Sequence, residues 1–192
     1  MKRAILAAML GCWAAGQSFG PARAADPPVA GACPRPGTVL QLSNGATLTA
    51  VAASGLICQM KSSLSGDFAL VGLLLRLDAT HQPAKDGLAA IAGLWPLAAG
   101  KTAQYTVSDG SGQWVDSYAV GAARKVTTKA GTFQAFPVTL TEKGAEDGGA
   151  ATATATSYIA PALGYTVKFD FTLPGGASDT THDWELVSVK AP

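Results

Sequence analysis

The chain has few of the side chains on which catalytic and metal sites depend. Its 192 residues include two histidines, His81 and His182, and three cysteines, and only 14% of the residues are charged. It has no G-x-S-x-G turn that would present an activated serine and no H-E-x-x-H pair that would hold zinc. The sequence therefore assigns no catalytic residue, no cofactor and no metal ligand.

Concentrated positive charge is also missing. The sequence has no stripe of lysines and arginines interleaved with aromatic residues, which a protein needs in order to neutralise nucleic-acid phosphates. It also has no polybasic patch of the kind that binds anionic lipid surfaces. We therefore expect no nucleic-acid partner.

The most apolar run lies at the N-terminus. Lys2 and Arg3 precede the apolar residues 4–10, and Ala-Arg-Ala at residues 22–24 offers a small-x-small cleavage pattern. This order is typical of a secretory signal peptide, so we predict that residues 1–24 are removed from a bacterial protein that is periplasmic or secreted. The run is too short and interrupted for a membrane-spanning helix, and no later stretch qualifies.

The segment Met-Leu-Gly-Cys at residues 9–12 offers an alternative. It resembles a bacterial lipoprotein box, in which the cysteine is lipidated. Met stands where leucine is usual, and the segment before it is very short. We therefore favour Cys12 as an ordinary residue of the signal peptide. If Cys12 is lipidated instead, the protein is anchored to a membrane by its N-terminus.

The remaining 168 residues suit one domain with a sizeable core. Residues 25–37 are rich in Pro, Gly and Ala, and we predict an extended lead-in there. Residues 38–192 are predicted to form a single β-rich domain. Removal of three of the 14 basic residues with the signal peptide leaves a formal charge of −2 against the 13 acidic residues.

Two cysteines remain after processing, Cys33 and Cys58. An exported protein with two cysteines usually pairs them, and we predict a disulfide bond between them. Closing this loop would stabilise the fold by roughly 3.5 kcal/mol in the chain-entropy view. Metal binding is the alternative, but no other good ligand lies nearby in the sequence.

Turn signals and period-2 runs predict an all-β fold. Asn44-Gly45 is a two-residue hairpin signal, which predicts strands over 38–42 and 46–52. The apolar run 68–77 is predicted to be buried on both faces or to bend at Gly72. From residue 101 onward, strands alternate with regularly spaced turns. We predict an antiparallel meander that forms a curled sheet or a barrel with one short helix.

Two local features carry narrower predictions. Asp86 is expected to cap that short helix, which runs to about Ile91 and ends at Gly93. Pro137 lies inside a strand pattern and predicts an edge strand or a bulge, because proline has no backbone N–H to donate.

The segment 158–173 contains the most regular alternation in the chain. Tyr165, Val167, Phe169 and Phe171 fall on one side, and polar residues fall on the other. A lipid-facing role is disfavoured because the neighbouring Thr/Ala strand offers only small side chains and the aromatic residues form no girdles. The sequence leaves open whether this apolar face binds a ligand or packs in the core.

Three segments together resemble a known group of proteins: 94–101 (LWPLAAGK), 126–138 (VTTKAGTFQAFPV) and 158–171 (YIAPALGYTVKFDF). Over about residues 94–190 the chain resembles uncharacterised exported bacterial β-proteins, similar to the domain of unknown function 3108 and to the curled sheets of LolA and LolB. The resemblance implies a curled β-sheet in the cell envelope. It suggests that the concave face holds an acyl chain, and it supplies no catalytic residues.

These observations favour an exported, non-enzymatic binding module for an apolar, lipid-like ligand or for an envelope protein partner. Tyr165, Val167, Phe169 and Phe171 are the candidate ligand face. A structural or assembly component of the cell envelope is the alternative. A hydrolase that uses His182 with nearby carboxylates ranks last, because adjacent His and Asp residues in a strand point to opposite faces.

Overall fold

The computed structural model describes residues 30–77, 85–109, 112–144, 151–173, 177 and 180–192. The predicted signal peptide, Cys12 and His81 lie outside these residues. The described elements are β1 (Val39–Leu42), β2 (Thr47–Ser54), β3 (Ile57–Ser62), β4 (Gly66–Val71), β5 (Leu75–Leu77), α1 (Lys85–Leu94), β6 (Thr102–Asp109), β7 (Gly112–Val120), β8 (Arg124–Thr128), β9 (Gly131–Gly144), β10 (Ala151–Ala160), β11 (Tyr165–Thr172) and β12 (Trp184–Lys190).

The strands form one antiparallel sheet. Its order is β5-β4-β3-β2-β1-β12-β11-β10-β9-β7-β6, and β8 pairs with β9 beside this path. Most neighbours are consecutive in the chain, so the predicted all-β meander with one short helix is confirmed. Strands β5 and β6 end the order without pairing to each other in the described residues, so the sheet is not closed and the barrel alternative is wrong.

The first hairpin forms where Asn44-Gly45 predicts it. Gly45 has a φ of +88°, which glycine adopts without steric cost. The Asn44 side-chain oxygen accepts a hydrogen bond from the Ala46 N–H at 3.1 Å. Strands β1 and β2 flank this turn close to the predicted bounds, and their register is Gln41 opposite Thr47.

The apolar run 68–77 bends at Gly72, which is the second of the two predicted options. Gly72 and Leu73 both have positive φ values, +56° and +63°. The Trp95 indole N–H donates to the Gly72 carbonyl at 3.2 Å, and a Cβ on Gly72 would collide with that indole. The bend therefore separates β4 from β5 and brings Trp95 against the turn.

Helix α1 is longer than predicted at both ends. Asp86 lies inside its first turn rather than at the cap, and Gly93 lies inside the helix rather than at its end. Gly93 does not have the positive φ of a terminating glycine. The helix continues past Gly93 to Leu94 because the Leu94 side chain is completely buried, on the same face as the buried Ile91. The helix packs against β6, where Gly87 lies close to the Tyr105 ring.

Strand β9 is paired on both sides, so the predicted edge strand at Pro137 is wrong, and its pairing with β10 has no bulge at Pro137. The β7 pairing of β9 begins at Val138, and its β8 pairing ends at Ala135. Pro137 falls between these two partners and pairs only with Tyr158 of β10. The sheet tolerates a residue without an N–H there because the neighbouring strand changes at that point.

Candidate functional site

The predicted ligand face on β11 divides between a cavity and the core. Tyr165 and Phe169 line a cavity, which we call the concave pocket. Val167 is completely buried, and Phe171 is half-buried with its ring centroid 5.3 Å from that of His182. The structure therefore brings two of the four residues to the pocket wall.

A β-bulge interrupts this face at Val167. Tyr158 of β10 pairs with Lys168, whereas the next residue, Ile159, pairs with Thr166. Val167 is thus the extra residue of a bulge, which interrupts the regular alternation of side chains. As a result, Thr166 joins the pocket wall although the sequence pattern places it on the polar side.

The concave pocket has a volume of about 480 Å³. Its wall combines residues from both ends of the chain. The lining residues are Leu42, Asn44, Ala46, Leu48, Ser62, Leu64, Ser65, Phe68, Leu70, Leu73, Leu74, Arg76, Ser157, Tyr165, Thr166, Phe169 and Trp184. Of these residues, only Tyr165 and Phe169 on β11 are predicted from the sequence.

The pocket shows that the sheet curls. Strand β4, which contributes Phe68 and Leu70, is five strand positions away from β11, which contributes Phe169. In a flat sheet, spacings of about 4.8 Å would separate β4 and β11 by roughly 24 Å. Side chains of both strands line one cavity, so the sheet must fold towards itself there.

Aromatic side chains form one side of the concave pocket. The rings of Phe169 and Trp184 stack with centroids 5.9 Å apart and an angle of 11° between their planes. Tyr165 lies 6.4 Å from Trp184 in a tilted arrangement. Strands β11 and β12 pair at these positions, with Phe169 opposite Trp184. The cluster offers a flat apolar surface of the kind that ligand pockets commonly use.

Polar groups concentrate around the β3–β4 turn. The Ser62 hydroxyl accepts backbone hydrogen bonds from Leu64 and Ser65, at 3.1 and 3.3 Å. Leu64 itself is 68% exposed, although it lines the pocket. The Arg76 guanidinium lies over the Phe68 ring at 4.4 Å from the centroid. The pocket lining thus includes the buried polar side chains of Ser62 and Thr166, the exposed Leu64 and the exposed Arg76.

A disulfide bond joins Cys33 and Cys58, with Cα atoms 5.4 Å apart. Cys58 lies on β3 and is almost completely buried. The backbone of Cys33 packs tightly on Gly164, and Gly31 packs on Pro161. The described end of the lead-in therefore forms turns that pack against the β10–β11 connection.

His182 lies on the surface of the described structure, next to the start of β12. His182 is exposed, and its Nδ1 lies 3.1 Å from the Thr181 hydroxyl. The Asp183 carboxylate accepts a hydrogen bond from the Phe171 backbone N–H at 2.6 Å and so connects to β11. Within the described ranges, no three His, Cys, Asp or Glu residues are grouped so that they could hold a metal ion.

A buried polar cluster lies on β6, β7 and β9, and none of its residues is among the site residues predicted from the sequence. Asp116 is only 7% exposed and lies opposite Tyr105 and Glu142 in the sheet. Burial raises the pKa of Asp116, and a hydrogen bond from Tyr105 opposes this increase. Burial, with a smaller contribution from the Asp116 charge, raises the pKa of Glu142. The sequence does contain a signal for this cluster, because Asp116 alternates with Tyr118 and Val120 on the buried face of the strand 113–120.

The tyrosines of this cluster contact each other. The hydroxyls of Tyr105 and Tyr118 lie 3.5 Å apart, and the two rings stack. Burial raises the pKa of Tyr118 to about 12, so this hydroxyl stays protonated at neutral pH. The two tyrosines and the two carboxyl groups therefore form a buried polar cluster between the strands.

Comparisons with known proteins give little further information. No family model matches the chain, and no curated protein matches it. The solved structure of the hypothetical lipoprotein YmcC from Escherichia coli is similar over 81% of this chain and 86% of its own, at 10% identity and a TM-score of 0.46. A protein with a YmcC-like fold from Bacteroides fragilis is similar over 82% of this chain and 97% of its own, at 12% identity and a TM-score of 0.42.

These TM-scores are too low for the likeness to support an argument about this chain. The predicted similarity to the domain of unknown function 3108 therefore stays a prediction. The structure itself defines a β-rich protein with an open, curled antiparallel sheet and an apolar concavity. No helix in the described part of the chain has the length and apolar character required to cross a membrane.

Proposed function

We propose that the protein is an exported component of a bacterial cell envelope that binds an apolar, lipid-like ligand in the concave pocket. Residues 1–24 act as the signal peptide, residues 25–37 form the lead-in, and residues 38–192 form the binding domain. The binding is non-enzymatic and uses Tyr165 and Phe169 together with Trp184.

The shape and chemistry of the concave pocket support this proposal most strongly. Its volume of about 480 Å³ lies within the range of roughly 300–1,000 Å³ that is usual for small-molecule sites. The Phe169–Trp184 stack provides one side, and Phe68 and Leu70 provide the other. An apolar ligand would remove these side chains from water, which is the main driving force for such binding.

Export is supported by the disulfide bond and by the leader pattern. Disulfide bonds persist in oxidising compartments such as the bacterial periplasm and are rare in the cytosol. The Cys33–Cys58 bond joins the lead-in to β3 and so belongs to the folded domain. The two features together support periplasmic or secreted localisation.

Filling the concave pocket should abolish ligand binding. Ser157 is a half-buried residue of β10 that lines the pocket, so a phenyl ring in Ser157→Phe would occupy the cavity. We expect the wild-type protein to bind the neutral apolar dye N-phenylnaphthylamine saturably. Ser157→Phe should weaken this binding about tenfold or more, as measured by dye fluorescence.

The matched control is Ile57→Phe, which adds a phenyl ring on the exposed face of β3. It should leave the dye affinity unchanged, and thermal unfolding should show that both variants fold. Equal binding by the wild-type protein and Ser157→Phe would contradict the proposal. A second protein that co-purifies, with no small ligand, would instead favour the assembly component.

A further inference from the structure

The described lining of the concave pocket contains a positive charge and no negative charge. Among its described lining residues, Arg76 is the only charged one, and the others are apolar or neutral polar side chains. The mature chain as predicted carries a net negative charge, so this cation does not reflect a generally basic surface. A ligand in the pocket would therefore contact apolar side chains, neutral polar side chains and one positive charge.

Arg76 lies at the mouth of the pocket. It belongs to β5, the strand at one end of the sheet order, and pairs with Leu70 of β4. The residue is exposed, and its guanidinium is positioned over the Phe68 ring. Its charge also reaches the interior, where it opposes the burial that raises the pKa of the Tyr165 hydroxyl. Arg76 thus lies between solvent and the aromatic wall.

We propose that the ligand is an anionic amphiphile whose carboxylate or phosphate headgroup binds Arg76 while its hydrocarbon chain lies against Phe169 and Trp184. This inference rests on the proposed function, because it concerns the same pocket. A guanidinium presents several N–H donors in a planar fork, which matches the oxygens of carboxylates and phosphates. The exposed position lets the headgroup stay hydrated while the chain is buried.

Four ligands with the same dodecyl chain and different headgroups test this specificity. Dodecanoate and dodecyl phosphate are anionic, dodecanol is neutral, and dodecyltrimethylammonium is cationic. Dissociation constants are measured at neutral pH by displacement of N-phenylnaphthylamine from the mature protein. We expect at least one anionic ligand to bind about threefold to fivefold more tightly than dodecanol, the value for a solvent-exposed ion pair. The cation should bind more weakly than dodecanol.

Substitution of Arg76 should remove this preference. In Arg76→Gln, the ratio of the dodecanol and anion dissociation constants should fall to about one, and Arg76→Glu should favour the cationic ligand over the anions. The matched control is Lys61→Gln, which removes the same charge from the outer face of β3 and should retain the preference. Comparison of dodecanoate with dodecyl phosphate then identifies which headgroup the site prefers.

The outcomes separate this inference from the proposed function. If dodecanol binds the wild-type protein as tightly as both anions, or if Arg76→Gln retains the preference, the role of Arg76 is overturned and the apolar pocket stands. If no dodecyl ligand displaces the dye and the dye itself does not bind, the proposed function fails. A preference that Lys61→Gln also removes would show a general effect of charge and would overturn the inference.

Discussion

At the scale of single residues, Gly164 packs directly against the backbone of Cys33, so that the β10–β11 connection contacts the lead-in. It has a φ of +67°, and a Cβ at this position would overlap the backbone of Cys33. We therefore expect Gly164→Ala to lower the free energy of unfolding by about 3 kcal/mol, because backbone strain and a backbone collision act together. Denaturant unfolding of the purified protein measures the change.

Gly45 is the matched control for this substitution. It also has a positive φ, +88°, but nothing lies within 4 Å of the position that a Cβ would take. Gly45→Ala should cost only about 1 kcal/mol, the conformational part of the effect. Equal losses of stability in the two variants would show that the contact between Gly164 and Cys33 is not important.

At the scale of elements, the polar cluster between β6, β7 and β9 makes stability depend on pH. Asp116 and Glu142 have ordinary pKa values of 3.8 and 4.5, and the fold raises both. The folded state therefore holds protons that the unfolded chain releases. The resulting stability is fully present below the ordinary values and is lost as pH rises through the raised ones.

Asp116→Asn should reduce this dependence. The amide oxygen can still accept the hydrogen bond from Tyr105, and the side chain carries no charge at any pH. We expect the variant to be more stable than the wild type at about pH 8 and to lose that advantage at about pH 4. Thermal unfolding across this pH range tests the prediction, and parallel curves for the two proteins would contradict it.

Local signals in the sequence predict the elements of this fold well. Asn44-Gly45 predicts the position of the first hairpin, but only Gly45 has a positive φ, and the loop between Leu42 and Ala46 has three residues rather than two. Gly72 marks a bend because it too has a positive φ. The predicted helix end at Gly93 is wrong because burial of Leu94, a tertiary effect, extends the helix. The predicted cap at Asp86 is wrong because the helix begins one residue earlier, at Lys85. Pro137 does not mark an edge strand because β9 pairs with β8 up to Ala135 and with β7 from Val138 onward, and Pro137 lies between the two.

The candidate site is less predictable than the elements that form it. The alternation on β11 identifies Tyr165 and Phe169, but it does not reveal the bulge at Val167. The opposite wall comes from β1 to β5, whose position depends on the pairing of β1 with β12 at the other end of the chain. No local pattern indicates that pairing, and hence Phe68 and Arg76 were not predicted as site residues.

At the scale of the whole molecule, the β1–β12 pairing joins the two halves of the sheet. Leu40 lies opposite Val189, and this contact places the N-terminal strands next to the C-terminal ones. The concave pocket exists because the joined sheet curls, so that β4 and β11 share one cavity. The concave pocket is therefore a property of the complete domain rather than of one segment.

The most direct test of the account is native mass spectrometry of the protein purified gently from the envelope of its own host. We predict that the native protein carries a small molecule of a few hundred daltons, which denaturation releases. The Ser157→Phe protein should carry none. The denatured mass should also show removal of residues 1–24 and the loss of two hydrogens in the Cys33–Cys58 bond. A native mass equal to that of the bare chain would contradict the claim that the concave pocket holds a ligand.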